Sequence, residues 1–304
     1  MAEDDADMPA VELIGVSKTY RKEKALDNLT LKIPRGMTMG LIGPNGAGKS
    51  TTIRMIMGTL RPTSGSVRVL GLDMPQHAEK LRPRVGYVPE RHDIYPWMTV
   101  GEVIRFVSSF YPTWDKCFCD EIMDIFALAR NKKVKHLSKG MQVKLALVLG
   151  VSHRPELLVL DEPTSGLDPI VHEDFLEGVL HSIIHGSTTV LFSSHNLGDI
   201  RRLADSVCIL REGKVLVQRG TEELLASAKR VRAVLADGRL PQWVPEGTIW
   251  QRVQRREWLL TIDGFDGGMA QQFQSRNPVE SVEIFDLSLG ELFHDYIVGE
   301  SART

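Results

Sequence analysis

The sequence predicts an α/β fold: a largely parallel sheet, a helical insert, and a small α+β domain at the C-terminal end. Three observations carry that prediction. The short apolar runs TMGLIG (38–43), ELLVLDEP (156–163) and TTVLFSSH (188–195) alternate with helical patterns, and each leads into a glycine-rich or polar loop. Between residues 97 and 150 the apolar spacing turns helical. Beyond about residue 220 the pattern becomes four short strand-like runs with three helices.

Taken in order, residues 1–10 are acidic and read as a disordered tail, and residues 11–220 form the α/β domain. VELIGVSKTY (11–20) and LTLKIPRG (29–36) form an antiparallel pair flanking the core. In the insert, Thr99-x-x-Glu102 is a capping box, followed by Val100, Val103, Ile104, Val107 and Phe110 at helical spacing. Ile122, Ile125, Phe126 and Ala129 make a second stripe. CILREGKVLVQRG (208–220) is a hairpin closing near Glu212-Gly213. In 221–304, a helix over 221–230 precedes strands RVRAVLAD, GTIWQRVQ, EWLLTID and VESVEIFD. DGRLPQWVPEGT (237–248) is a loop, 267–276 a helix, and Ser288-x-x-Glu291 caps a last helix.

Bulk composition narrows the function. The 304 residues suffice for one large and one small domain. A net charge of −2 gives no global basic field, so no nucleic-acid partner is expected. The three cysteines lack metal-binding C-x-x-C spacing and read as reduced thiols. The acidic N-terminus resembles no signal or transit peptide, and no apolar run approaches the ~20 residues that span a bilayer. A membrane role therefore requires a partner.

Gly43-Pro-Asn-Gly-Ala-Gly-Lys-Ser50 fits the phosphate-binding pattern G-x-x-x-x-G-K-[ST] between a strand and a helix. Its glycines let backbone amides curl around phosphates, Lys49 supplies charge, and the Ser50 hydroxyl suits Mg²⁺. LLVLDE (157–162) ends a buried strand on two carboxylates. Asp161 suits a direct or water-mediated Mg²⁺ ligand, and Glu162 a general base or orienter for attacking water. His195 ends another strand, at the sheet edge where ligands bind in such folds.

Together these residues resemble the ATP-binding cassette (ABC) ATPases, the nucleotide-hydrolysing subunits of ABC transporters. The resemblance covers about residues 11–220 and rests on GPNGAGKST (43–51), YVPE (87–90), LSKGM (137–141), LLVLDEP (157–163), SGLD (165–168) and SSH (193–195). It implies a RecA-like core with an antiparallel β subdomain and a helical subdomain. It implies ATP and Mg²⁺ as ligands, held by Gly43, Asn45, Gly46, Gly48, Lys49, Ser50 and Thr51, with Tyr20 stacking on adenine. By the same resemblance His195 contacts the γ-phosphate, Asp168 lies at a dimer seam, and Glu90 shares in Mg²⁺ binding and catalysis. Ser138 and Gly140, in the place of the LSGGQ signature, face the ATP of a second cassette.

This sequence departs from the family pattern in three places. Lys139 and Met141 replace glycine and glutamine in the signature. Lys139 either adds charge near the partner's phosphate or, as is usual for an exposed lysine, points to solvent. Glu90 stands where glutamine is usual; a carboxylate ligates Mg²⁺ but donates no hydrogen bond. These departures, FYPTWD (110–115) and the ending DLSLGELFHDYIV resemble ATPases of bacterial drug and peptide export, including bacitracin-resistance-type exporters. The resemblance implies a pair of cassettes peripheral to the cytoplasmic face of a bacterial inner membrane, driving a separate permease; a chain carrying every catalytic motif is compatible with a homodimer, and a heterodimer stays open. Tyr95, Pro96 and Trp97 either receive that permease or pack within the insert. An importer ATPase, or a soluble ABC ATPase acting on nucleic acid or ribosomes, is the competing reading. Residues 221–304 could clamp a dimer, regulate it or bind the permease.

Overall fold

The computed structural model describes residues 8–21, 23–184, 188–236, 243–276 and 278–299. It divides into two compact units, residues 1–218 and 219–304, two residues before the boundary the sequence suggests. Most of the acidic N-terminal stretch, residues 1–7, lies outside the described residues, as do 237–242 of the 237–248 loop. Ala10 is buried and bonded on both sides, donating to the Ile33 carbonyl and accepting from the Leu70 amide.

In chain order the first unit contains β1 (Val11–Tyr20), β2 (Glu23–Ile33), β3 (Thr38–Ile42), α1 (Lys49–Ile56), β4 (Ser64–Val69), β5 (Leu72–Asp73), α2 (Ala78–Leu81) and β6 (Val85–Val88). The helical insert follows as α3 (Val100–Ser108), α4 (Lys116–Ile125) and α5 (Lys139–Val151). The unit continues with β7 (Leu157–Asp161), α6 (Pro169–Ile184), β8 (Thr189–Ser193), α7 (Leu197–Leu203), β9 (Ser206–Arg211) and β10 (Lys214–Gly220).

The main sheet has the order β10-β9-β3-β8-β7-β6, and the pairs from β9 to β6 are parallel. Every residue of β3, β7 and β8 is buried, as strands covered on both faces must be. The β9–β10 hairpin turns at Glu212-Gly213, both at positive φ, which matches the twist of the strands. A second, antiparallel sheet has the order β2-β1-β4-β5.

The insert follows its amphipathic pattern. The Thr99–Glu102 capping box forms, and Val100, Val103 and Ile104 are buried while Phe110 is exposed. The second stripe differs from the sequence reading. Asp115 caps α4, and Phe118, Cys119, Ile122, Met123 and Phe126 are the buried set. Ile125 falls on the flank of that stripe, and Ala127 at φ 51° turns the chain before Ala129.

The second unit contains α8 (Thr221–Ser227), β11 (Lys229–Leu235), β12 (Thr248–Gln254), β13 (Glu257–Ile262), α9 (Gly267–Arg276), β14 (Val279–Asp286) and α10 (Leu289–Gly299). Its sheet, β12-β13-β11-β14, is antiparallel throughout. Helix α8 stops three residues short of the predicted 221–230. Val231, Ala233 and Leu235 bury at period two against Trp258, Leu260 and Ile262, and a longer helix would forfeit that core.

Two carboxylates, Asp295 buried and Asp263 half-buried, fasten α10. Asp295 accepts from Arg230 and from the Thr261 hydroxyl. Asp263 accepts from the Tyr296 hydroxyl, from Arg219 at 2.8 Å and from Ser227 at 3.1 Å. Burial alone would raise the Asp263 pKa, but those three donors outweigh it and hold the carboxyl below its ordinary value. A depressed folded-state pKa stabilises above the unfolded value, and that contribution disappears as pH falls through the folded one. Asp263→Asn should therefore cost about 2 kcal/mol at pH 7. The gap from wild type should narrow below about pH 4 in thermal melts; an equal gap at pH 3 and pH 7 would mean that the charge contributes nothing.

Candidate active site

The phosphate-binding pattern occupies the turn between β3 and α1. Gly48 caps α1 at φ 106°, and a Cβ there would lie 2.6 Å from Leu26 Cδ2. A Cβ on Gly43 would lie 2.5 Å from the Leu210 carbonyl oxygen, so both positions demand glycine. The first-turn amides of α1 have no intrahelical acceptor, which makes this turn an anion cradle. The Lys49 ammonium is buried beneath it, donating to the Gly43 carbonyl at 2.7 Å.

Strand register assembles the rest. Ser193 of β8 pairs with Leu41 of β3 on one side and Asp161 of β7 on the other, so three strand ends finish in one row. The Ser193 hydroxyl donates to Asp161 Oδ1 at 3.0 Å and accepts from the Glu162 amide at 3.0 Å. The same amide donates to the Ser193 carbonyl. Glu162 sits at φ 47°, a strained conformation for a residue with a side chain. Its Oε1 lies 3.4 Å from the Lys49 ammonium and its Oε2 lies 2.7 Å from His195 Nδ1. Because an ionised carboxylate only accepts, Nδ1 of His195 carries the hydrogen in that bond.

These groups border an open cleft of about 790 Å³. It brings together Tyr20, Asn45, Gly46, Gly48, Lys49, Ser50, Thr51, Glu90, Glu162 and His195, all named from the sequence. Tyr20 stands half exposed at the rim with Lys18 over its ring. Gly43 contributes its carbonyl from behind the turn, and Asp161 lies buried beneath Ser193. The sequence reading did not single out Ser193, Ser165, or the rim residues Glu23, Lys24 and Glu212. Ser193 stood inside the quoted SSH, but only the β7–β8 register reveals what its hydroxyl holds.

Ser138, Gly140 and Asp168 do not line the cleft of their own chain. The Ser138 hydroxyl caps α5, accepting from the Met141 amide at 3.3 Å. A Cβ on Gly140 would come within 2.3 Å of Val171, so this glycine lets α5 approach α6. Asp168 accepts from the Val171 amide at the start of α6. Lys139 does not extend freely into solvent: its ammonium donates to the Ser165 carbonyl at 2.6 Å.

The oxygens suit a divalent cation. Burial holds the Asp161 carboxyl above its ordinary value, the Glu162 and Glu90 carboxylates add to the rise, and Ser193 and Lys49 oppose it. Three carboxylates beside one lysine leave negative charge that a cation would relieve. Among the described residues no group of three or more His, Cys, Asp or Glu converges as a metal cage. Mg²⁺ needs none, since it binds one or two carboxylates together with phosphate oxygens and water.

A glycine-bounded phosphate cradle at one end of a parallel sheet, with a buried lysine and a glutamate–histidine pair beside it, defines a nucleotide-binding cassette. The family described as ABC transporter matches residues 26–165. An uncharacterized ABC transporter ATP-binding protein, YhaQ of Bacillus subtilis (strain 168), is 36% identical over 284 residues, covering 91% of this chain and 90% of the relative. The Nod factor export ATP-binding protein I of Ralstonia nicotianae is 32% identical, over 71% and 69%. The bacitracin transport ATP-binding protein BcrA of Bacillus licheniformis is 34% identical, over 68% of each. Among solved structures, an ATP-binding subunit of an ABC transporter is 30% identical with a TM-score of 0.64, covering 71% of this chain and 92% of that one. The chain belongs to the ABC transporter ATP-binding protein family, whose cassettes bind nucleotide and hydrolyse ATP.

Glu90, exposed at the end of β6, contributes negative charge to Asp161 without bonding to it. Glu90→Gln preserves an oxygen toward the cleft and removes that charge. ATP turnover by the variant should stay within about tenfold of wild type, or ~1.4 kcal/mol in barrier. A larger drop would show that the carboxylate itself is required.

Proposed function

We propose that this chain is the ATP-hydrolysing subunit of an exporter, acting as a pair of identical cassettes on a separate transmembrane permease. The observation that carries the reading is the convergence of Lys49, Glu162 and His195 on one cleft, braced by Ser193. ATP phosphates lie against the backbone amides of residues 45–51 and the Lys49 ammonium, with the adenine on the Tyr20 ring. Ser50, with Asp161 and Glu90 directly or through water, would hold Mg²⁺, which would supply charge neutralisation at the phosphate oxygens. Glu162 orients the attacking water and accepts its proton. His195 donates to that carboxylate through Nδ1, fixing its orientation, and contacts the γ-phosphate.

Hydrolysis needs the second cassette. The capped start of α5, with Ser138 and Gly140, presents backbone donors to a partner's γ-phosphate, and Asp168 lies at the seam. Those contacts exist only in the closed pair, so ATP favours closure by this difference in affinity. Loss of the γ-phosphate then releases the pair.

Among the described residues no helix is long and apolar enough to cross a membrane. On this reading the permease is a separate chain, and the cassette sits at the cytoplasmic face of the inner membrane. Its docking surface is the aromatic row Tyr95, Trp97, Phe106 and Phe110. Successive rings pack 5.1–5.7 Å apart, yet Trp97 stays 64% exposed and Phe110 62%. Exposed aromatics of this kind make interface anchors. The relatives that act in bacitracin transport and Nod factor export support the exporter direction.

Light scattering on Glu162→Gln protein tests the pairing. Mg²⁺ and ATP should convert monomer to dimer, and adding Ser138→Arg should abolish the shift. A mass that ignores nucleotide would contradict the homodimer.

A further inference from the structure

A second carboxylate–histidine pair lies directly behind the first. Asp199, two residues into the first turn of α7, is 2% exposed. Its carboxylate accepts from the Thr164 hydroxyl at 3.1 Å. His172 Nε2 of α6 lies 2.9 Å from one carboxylate oxygen and 2.8 Å from the other. Since the carboxylate offers only acceptors, Nε2 of His172 carries a hydrogen. The cluster closes a small cavity of about 260 Å³ that His195 and Asn196 also line.

The chain positions of these three residues give the cluster its meaning. Thr164 follows Glu162 by two residues, in the loop leaving β7. Asp199 follows His195 by four, in the helix that Asn196 caps by accepting from the Gly198 amide. His172 stands in the first turns of α6, the helix that this same loop enters. Asp199 therefore fastens the loop carrying Glu162 to the start of the helix that follows His195, and anchors both to α6. The Glu162–His195 bond spans the same two loops, so its 2.7 Å length depends on their separation.

We propose that Asp199 is a positioning residue for ATP hydrolysis: by clasping Thr164 and His172 it keeps Glu162 and His195 in register. The proposal rests on the reading of Glu162 and His195 as the hydrolytic pair. A buried carboxylate with two donors is costly to leave half satisfied. The clasp is thus rigid, and a displaced loop would misplace the catalytic carboxylate by the small distances to which turnover is sensitive. Asp199 reaches neither Lys49 nor the phosphate turn, so its effect should fall on turnover and spare ATP binding.

The test measures kcat, KM for ATP and the thermal midpoint for four variants of the full chain. Asp199→Ala should lower kcat at least about tenfold and leave KM within about threefold. Asp199→Asn, which keeps an acceptor for Thr164 and a polar atom for His172, should recover kcat to within about threefold of wild type. Thr164→Val removes only the hydroxyl and keeps the side-chain shape. It should lower kcat about threefold without moving the thermal midpoint, and it reads the clasp even if Asp199→Ala does not fold. Glu162→Gln is the control for the underlying reading. A wild-type kcat in Glu162→Gln would overturn the assignment of the hydrolytic pair. An inactive Glu162→Gln beside wild-type kcat in Asp199→Ala and Thr164→Val would overturn the clasp alone. So would a thermal midpoint that falls in Asp199→Ala and Thr164→Val while kcat of the folded protein stays unchanged.

Discussion

The Ser193 hydroxyl is the joint on which the site depends. Parallel pairing sets Ser193 opposite Asp161, and the hydroxyl donates to one acidic residue while accepting from the amide of the next. Two adjacent carboxylates at the end of a strand would otherwise separate, one to each face of the sheet and both toward water. Here Asp161 stays under the cleft, and Glu162 turns through a left-handed backbone to face Lys49 and His195. The strain at Glu162, of order 1–3 kcal/mol, is held by bonds to both the hydroxyl and the carbonyl of Ser193.

Charge organises the cleft around that joint. A lysine beneath the glycine turn, three carboxylates and a histidine leave a site that is positive where the amides point and negative where the acids gather. Mg²⁺ with a nucleotide phosphate matches both halves, since the metal answers the acids and the phosphate answers the amides. The other phosphate-facing feature, the start of α5, lies apart from this cleft because Gly140 packs it against Val171 of α6. In the proposed function this helix start serves a nucleotide held by another chain, which makes the site composite.

Much of this was legible in the sequence because local chemistry fixes it. The phosphate turn needs glycines at Gly43 and Gly48, and the structure gives each a neighbour that a Cβ would strike. The Thr99–Glu102 and Ser288–Glu291 boxes form through bonds between residues three apart. What the sequence hid depends on pairing across the chain. The work of Ser193 follows from strand register, and the link between Lys139 and Ser165 from the approach of two distant loops. Helix α8 ended early because a β pattern overlapped its C-terminal end, and Ala129 left the α4 stripe because a left-handed residue intervened. Neither event has a signature stronger than the periodicity it overrides.

Ser193→Ala tests the central claim most directly, because it deletes one hydroxyl and touches neither the phosphate turn nor the acids themselves. The quantity to measure is kcat for ATP alongside the dissociation constant for nucleotide. The account predicts a fall in kcat of at least about tenfold, ~1.4 kcal/mol of barrier, with nucleotide affinity retained. Turnover at the wild-type rate would contradict it, because Glu162 would then reach its position without the brace.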